Sequence, residues 1–102
     1  MTRDTKKVWL IQGYNSLKRL FAYRVSPALS EAEVGDLLQR LAARDLSPAE
    51  IVGASVRKGM RNYNALLEVR KEQRERTILS VGENPHYIAS LHSEAELADM
   101  NS

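Results

Sequence analysis

The chain opens its patterned region with an apolar run, Val8-Trp9-Leu10-Ile11, that stops at Gln12. Gly13-Tyr14-Asn15-Ser16 supplies turn residues. Leu17 to Val25 then alternates, with Leu17, Arg19, Phe21, Tyr23 and Val25 on one side and Lys18, Leu20, Ala22 and Arg24 on the other. Alternation of period two between turn signals predicts a β-hairpin, closed at Ser26-Pro27. From Glu31 to Arg44 the period changes. Val34, Leu37, Leu38, Leu41 and Ala42 form an i, i+3, i+4, i+7 stripe, with Asp36, Gln39, Arg40 and Arg44 outside it, which predicts an amphipathic helix. A second helix is expected over Pro48 to Lys58, with Ile51, Val52, Ser55 and Val56 inward and Gly59 just past its end. The short link Asp45-Leu46-Ser47 makes the two an αα-hairpin.

The helix starts are written three times in one dialect. Ser30-Glu31-Ala32-Glu33-Val34, Ser47-Pro48-Ala49-Glu50-Ile51 and Ser93-Glu94-Ala95-Glu96-Leu97 share Ser-x-Ala-Glu-apolar. The serine oxygen accepts from the backbone N–H three residues on, and the glutamate reaches back to the serine N–H. Pro48 sits at the first helical position, where a missing N–H costs nothing. The unequal spacing of the three copies speaks for shared capping chemistry and against a repeat architecture. Gly35 weakens the first helix or permits a close approach to it.

Strand signals return near the C-terminus. Arg76 to Val81 and His86 to Leu91 both alternate around the turn cluster Gly82-Glu83-Asn84-Pro85. Asn62 to Glu75 is ambiguous. It is rich in helix formers, yet no apolar residue occurs from Arg70 through Arg76, so a helix there has no face to bury. We favour a strand around Leu67, Val69 and Lys71 with a tip at Glu72 to Glu75. The alternative is a third, charged helix. The expected fold is a single small α+β domain over 1–92, ordered ββααβββ: N-terminal β-hairpin, capped αα-hairpin and C-terminal β-meander. An acidic tail or short helix is expected over 93–102. The expected core is Trp9, Ile11, Leu20 or Phe21, Val34, Leu37, Leu38, Leu41, Ile51, Val52, Val56, Leu67, Leu79 and Ile88.

Composition narrows the chemistry. In 102 residues, 43% are apolar and 27% charged, ordinary for a globular domain. There is no cysteine, which removes disulfides, thiolate metal sites and cysteine nucleophiles. The N-terminal apolar run is too short for a signal peptide or a membrane span, so a cytoplasmic protein without membrane contact is expected. Net charge is +2, but it is laid out in blocks of +5 over 1–28, −3 over 29–56, +4 over 57–76 and −4 over 77–102. Ten of the fifteen basic residues are arginine, suited to planar contact with phosphate or carboxylate.

Three function classes compete. The leading expectation is a non-catalytic binding or regulatory protein, whose ligand is a protein partner or a second copy of itself. The second is nucleic-acid binding through the Arg-rich 57–76 segment and the basic N-terminal hairpin. Its candidate anion contacts are Lys18, Arg19, Arg57, Lys58, Arg61, Arg70, Lys71, Arg74 and Arg76, with tyrosines available to stack on bases. Within that class, Leu41 to Val52 resembles a helix-turn-helix that would present Ala49, Glu50, Gly53, Arg57 and Lys58 to DNA, though its connection is a residue short and its first helix is acidic. The third is an enzyme using His86. No nucleophile elbow, phosphate-cradling glycine loop or metal-ligand spacing accompanies that histidine, and neither cofactor nor metal is expected.

Overall fold

The computed structural model describes residues 7–83 and 85–100. The basic stretch before Lys7, Asn84 in the second turn and residues 101–102 lie outside the described residues. The elements are β1 (Lys7–Asn15), β2 (Lys18–Val25), α1 (Glu31–Ala43), α2 (Pro48–Ser55), β3 (Arg70–Gln73), β4 (Thr77–Gly82), β5 (His86–Ser93) and α3 (Glu94–Met100). The five strands form one antiparallel sheet in the order β2-β1-β5-β4-β3. This is the expected α+β layout, ββααβββ followed by a short helix. Among the described residues no helix is long and apolar enough to cross a membrane.

The core lies between α1 and one face of the sheet. Trp9 and Ile11 of β1, Tyr87 and Ala89 of β5, and Leu79 and Val81 of β4 share that face, because the register pairs them in rows. Val34, Leu38 and Ala42 of α1 close onto it. The Trp9 indole N–H donates to the Leu29 carbonyl at 3.1 Å, fixing the entry to α1. Gly35 is buried, and Val69 is the nearest side chain to it, so the glycine permits the close approach its position suggested. All three serine caps form, with both arms of each box made.

Several expectations are corrected in detail. Of the Leu20 or Phe21 alternative, Phe21 is the one that packs against the core; Val52 is exposed, whereas Val81, Tyr87, Ala89 and Leu97 are buried. Tyr87 and Ala89 take the inward phase of β5 because they oppose Gly13 and Ile11, which leaves Ile88 half-buried on the other face. The second helix stops at Ser55 rather than Lys58. Gly53 is buried beneath the loop, where a Cβ would stand 2.5 Å from the Asn62 carbonyl oxygen, and its own carbonyl accepts from the Asn64 N–H at 3.1 Å. That bond takes the acceptor that Arg57 would need to continue the helix. The residue set a helix-turn-helix would present is not assembled on α2, since Gly53 is covered and Arg57 and Lys58 lie beyond the helix. Residues 62–75 are neither a long strand nor a helix. Leu67 stays outside the ladder with its carbonyl accepting from the Gln39 amide at 2.7 Å, and β3 keeps only four residues.

The N-terminal hairpin departs most from simple alternation. β1 pairs Gly13 with Phe21 but Tyr14 with Arg19, so Leu20 is an extra residue in β2, a β-bulge. Opposed residues share a face. Arg19 therefore joins Ala22 and Arg24 on the face away from α1, whereas strict alternation had put it with Phe21 and Tyr23. Leu38→Ala should destabilise the protein by about 2–5 kcal/mol, since that side chain is fully buried. Val52→Ala should stay within about 0.5 kcal/mol, and urea denaturation compares the two.

Candidate functional site

The fold scatters the expected basic site. Lys71 pairs with Glu31 at 2.8 Å, Arg74 with Glu72 at 3.2 Å and Arg76 with Glu96 at 2.8 Å. Arg70 donates to the Gly82 carbonyl. Lys58 approaches Glu68 at 3.9 Å. Arg57 and Arg61 are exposed on the loop after α2. The 57–76 segment is thus no single basic face. Lys18 and Arg19 remain together with Arg24, exposed on β2, and among the described residues no carboxylate pairs with any of the three.

One constellation has a chemical outline and a structural role. Ser90 Oγ lies 2.8 Å from His92 Nε2, and Glu96 lies 4.0 Å from His92 Nδ1, the outline of a hydrolytic triad. Arg76 decides the matter. Its guanidinium stands 2.6 Å from Nδ1 and can only donate, so Nδ1 is the acceptor and Nε2 carries the proton. The imidazole therefore donates to Ser90 instead of taking its proton, and Ser90 and His92 are both buried. The group clasps α3. Arg76 grips Glu96 with both nitrogens at 3.1 and 2.8 Å, while Glu96 also accepts from the Ser93 N–H at 2.9 Å. The Arg76 hydrogen bonds, aided by the Ser93 backbone, hold the Glu96 carboxyl down at about 2. Burial, then the Arg76 charge, push the His92 pKa below its ordinary value.

His86, the candidate base, stacks on Tyr14 with ring centroids 5.3 Å apart, and among the described residues no carboxylate bonds it. The main cleft, about 600 Å³, opens elsewhere, between the αα-hairpin, the loop before β3 and the β4–β5 turn. Its carboxylates are largely occupied. Asp45 accepts from the Tyr87 hydroxyl, Glu50 from the Ser47 N–H, and Glu68 from the Tyr63 hydroxyl. Burial, then the Asp45 bond, raise the Tyr87 pKa. No group of side chains able to hold a metal ion is found among the described residues.

What remains open is the β2 edge. It has eight residues, pairs among the described residues only with β1, and exposes Tyr23, 64% accessible, and Leu20, 47%, with Leu17 of the preceding turn at 96%. The opposite edge, β3, has four residues, Arg70-Lys71-Glu72-Gln73, all polar. Sequence reasoning assigned Leu20 or Phe21 inward, which Phe21 fulfils, and counted Tyr23 among the tyrosines free to stack, which its exposure allows. Compared with known protein families, with characterised proteins and with solved structures, the chain matches none.

The clasp predicts a pH response of definite sign. Both His92 and Glu96 have folded pKa values below their unfolded ones, so each contributes stability at high pH and loses it on acidification. The His92 contribution is complete above about 6.5 and falls below it. The Glu96 contribution falls from its ordinary 4.5 toward about 2. The urea midpoint should drop between about pH 7 and 5, and His92→Asn should flatten that slope.

Proposed function

We propose that this protein is a non-catalytic binding and regulatory module that works through protein–protein contact, its partner adding a strand at β2. The observation that carries this reading is the asymmetry of the sheet. One edge is short, polar and self-paired. The other is twice as long, carries aromatic and aliphatic side chains at its rim, and among the described residues has no ladder partner for its outward N–H and C=O groups. Such an edge is a template for an extended peptide: the backbone supplies hydrogen bonds and alternate side chains supply selectivity. A cytoplasmic setting suits a chain without cysteine.

Nucleic acid is the second reading. Arg19 and Arg24 share the open face with Tyr14 and Gln12, a layout that could meet a single strand. Against it, Tyr14 is already stacked on His86, and Lys71, Arg74 and Arg76 are engaged by acids of the same chain.

Proline scanning tests strand addition. In an antiparallel edge strand, N–H groups of successive residues point alternately inward and outward. Of Ala22→Pro and Tyr23→Pro, one should unfold the hairpin and the other should keep the urea midpoint, having lost only an outward donor. The tolerated variant should no longer bind a labelled valine–threonine strand peptide that the parent binds, read by fluorescence anisotropy. Equal binding by both would sink the edge reading. A salt-sensitive mobility shift with single-stranded oligonucleotides, abolished by Arg19→Ala with Arg24→Ala, would favour the second reading.

A further inference from the structure

Resting on the β2 reading above, we propose that the strand taken up is an extended acidic segment of another protein, and that a second copy of this chain is refused. The argument is one of charge and register. β2 holds Lys18, Arg19 and Arg24 and no acid. Their register partners on β1 are Asn15, Tyr14 and Leu10, so the neighbouring strand supplies no countercharge. The contrast with β3 is internal to the same sheet: there Lys71 meets Glu31, and Glu72 meets Arg74. Uncompensated positive charge is a property of this edge, and it is uncompensated where a new strand would lie.

A second copy brings the same three cations. Antiparallel pairing of two β2 strands sets six basic side chains along a seam of eight residues, roughly 26 Å at about 3.3 Å per residue. Like charges across a ladder are destabilising, and the seam offers no acid to relieve them. The bulge at Leu20 adds a kink that two copies would both have to accommodate. The features that refuse a twin select a complementary stranger.

The register specifies that stranger further. Arg24, Ala22 and Arg19 face away from α1, opposite Leu10, Gln12 and Tyr14 of β1, while Tyr23 and Phe21 face the helix side. Phe21 and Tyr23 stand 5.5 Å apart as a tilted ring pair, half-buried and exposed respectively, and form a shelf for apolar side chains. A strand that mirrors the register of β1 on the outer side of β2 therefore reads acid, apolar, small or polar, apolar, acid. Its two acids meet Arg24 and Arg19 and its two apolar residues meet the shelf.

Three labelled peptides test this, with cores Glu-Val-Thr-Val-Glu, Gln-Val-Thr-Val-Gln and Lys-Val-Thr-Val-Lys, titrated by fluorescence anisotropy at low and high salt. The acidic peptide should bind about tenfold tighter than the neutral one at low salt, as two exposed cross-strand ion pairs allow, and the margin should shrink as salt rises. Arg19→Glu with Arg24→Glu should move the preference to the lysine peptide, and the milder Arg19→Gln with Arg24→Gln should erase it. Sedimentation of the protein alone should give a monomer. Equal binding of acidic and neutral peptides overturns the charge inference and leaves the strand-addition reading standing. Binding of none of them overturns both. A dimer of the protein alone that Arg19→Glu with Arg24→Glu disrupts overturns the refusal of a second copy.

Discussion

An α-helix with its side chains is about 10 Å across, and adjacent strands lie about 4.8 Å apart. One helix can roof two or three strands, and this sheet has five. Everything else in the molecule follows from where α1 is laid. It lies over β4 and β5, so Val34, Leu38 and Ala42 bury Leu79, Val81, Tyr87 and Ala89, and β1 closes the core with Trp9 and Ile11. The two outer strands project past the roof. On β3 the chain answers with charge. On β2 it answers with cations and aromatics together, and the body extends to 52 × 27 × 20 Å.

The reverse face obeys the same shortage of cover. α3 is short and packs on β5, where Leu97 is buried, as are Leu10, Ser90 and His92 on that side of the sheet. So short a helix has little apolar surface to hold it. Arg76 supplies the rest by joining the start of β4 to Glu96, to His92 and, at 3.4 Å, to the Leu91 carbonyl. An arginine that composition placed among surface contacts is a fastener, and the neighbouring histidine is neutral because it must accept.

The parts legible in the sequence are those decided locally. The serine boxes fixed three helix starts because capping needs only four residues, and both hairpins were marked by alternation between turn residues. The illegible parts are set by distant neighbours. Nothing near Gly53 in sequence announces that Asn64 will take its carbonyl and end α2 early. The inward phase of β5 follows from opposing Ile11 and Gly13, and two alternations six residues long look alike until a partner chooses between them. The displacement of Arg19 to the open face depends on one unpaired residue, and Leu-Phe is as regular a strand sequence as any. The basic segment 57–76 looked continuous as text, but Lys71 and Arg76 are answered by Glu31 and Glu96, acids from distant parts of the chain. Of the candidate site, Lys18 and Arg19 were visible beforehand; the free edge that gives them meaning was visible only once the strand order was known.

The irregularity at Leu20 also guards the molecule against itself. A straight, evenly pleated rim of eight residues, carrying Tyr23 and preceded by Leu17, would have the makings of a growing cross-β stack, each copy offering the next an identical ledge. Breaking the pleat once, between two cationic neighbours and a phenyl ring, keeps the rim from tiling. Shortening the chain by that single leucine would restore an uninterrupted ledge and leave the three cations as its remaining guard.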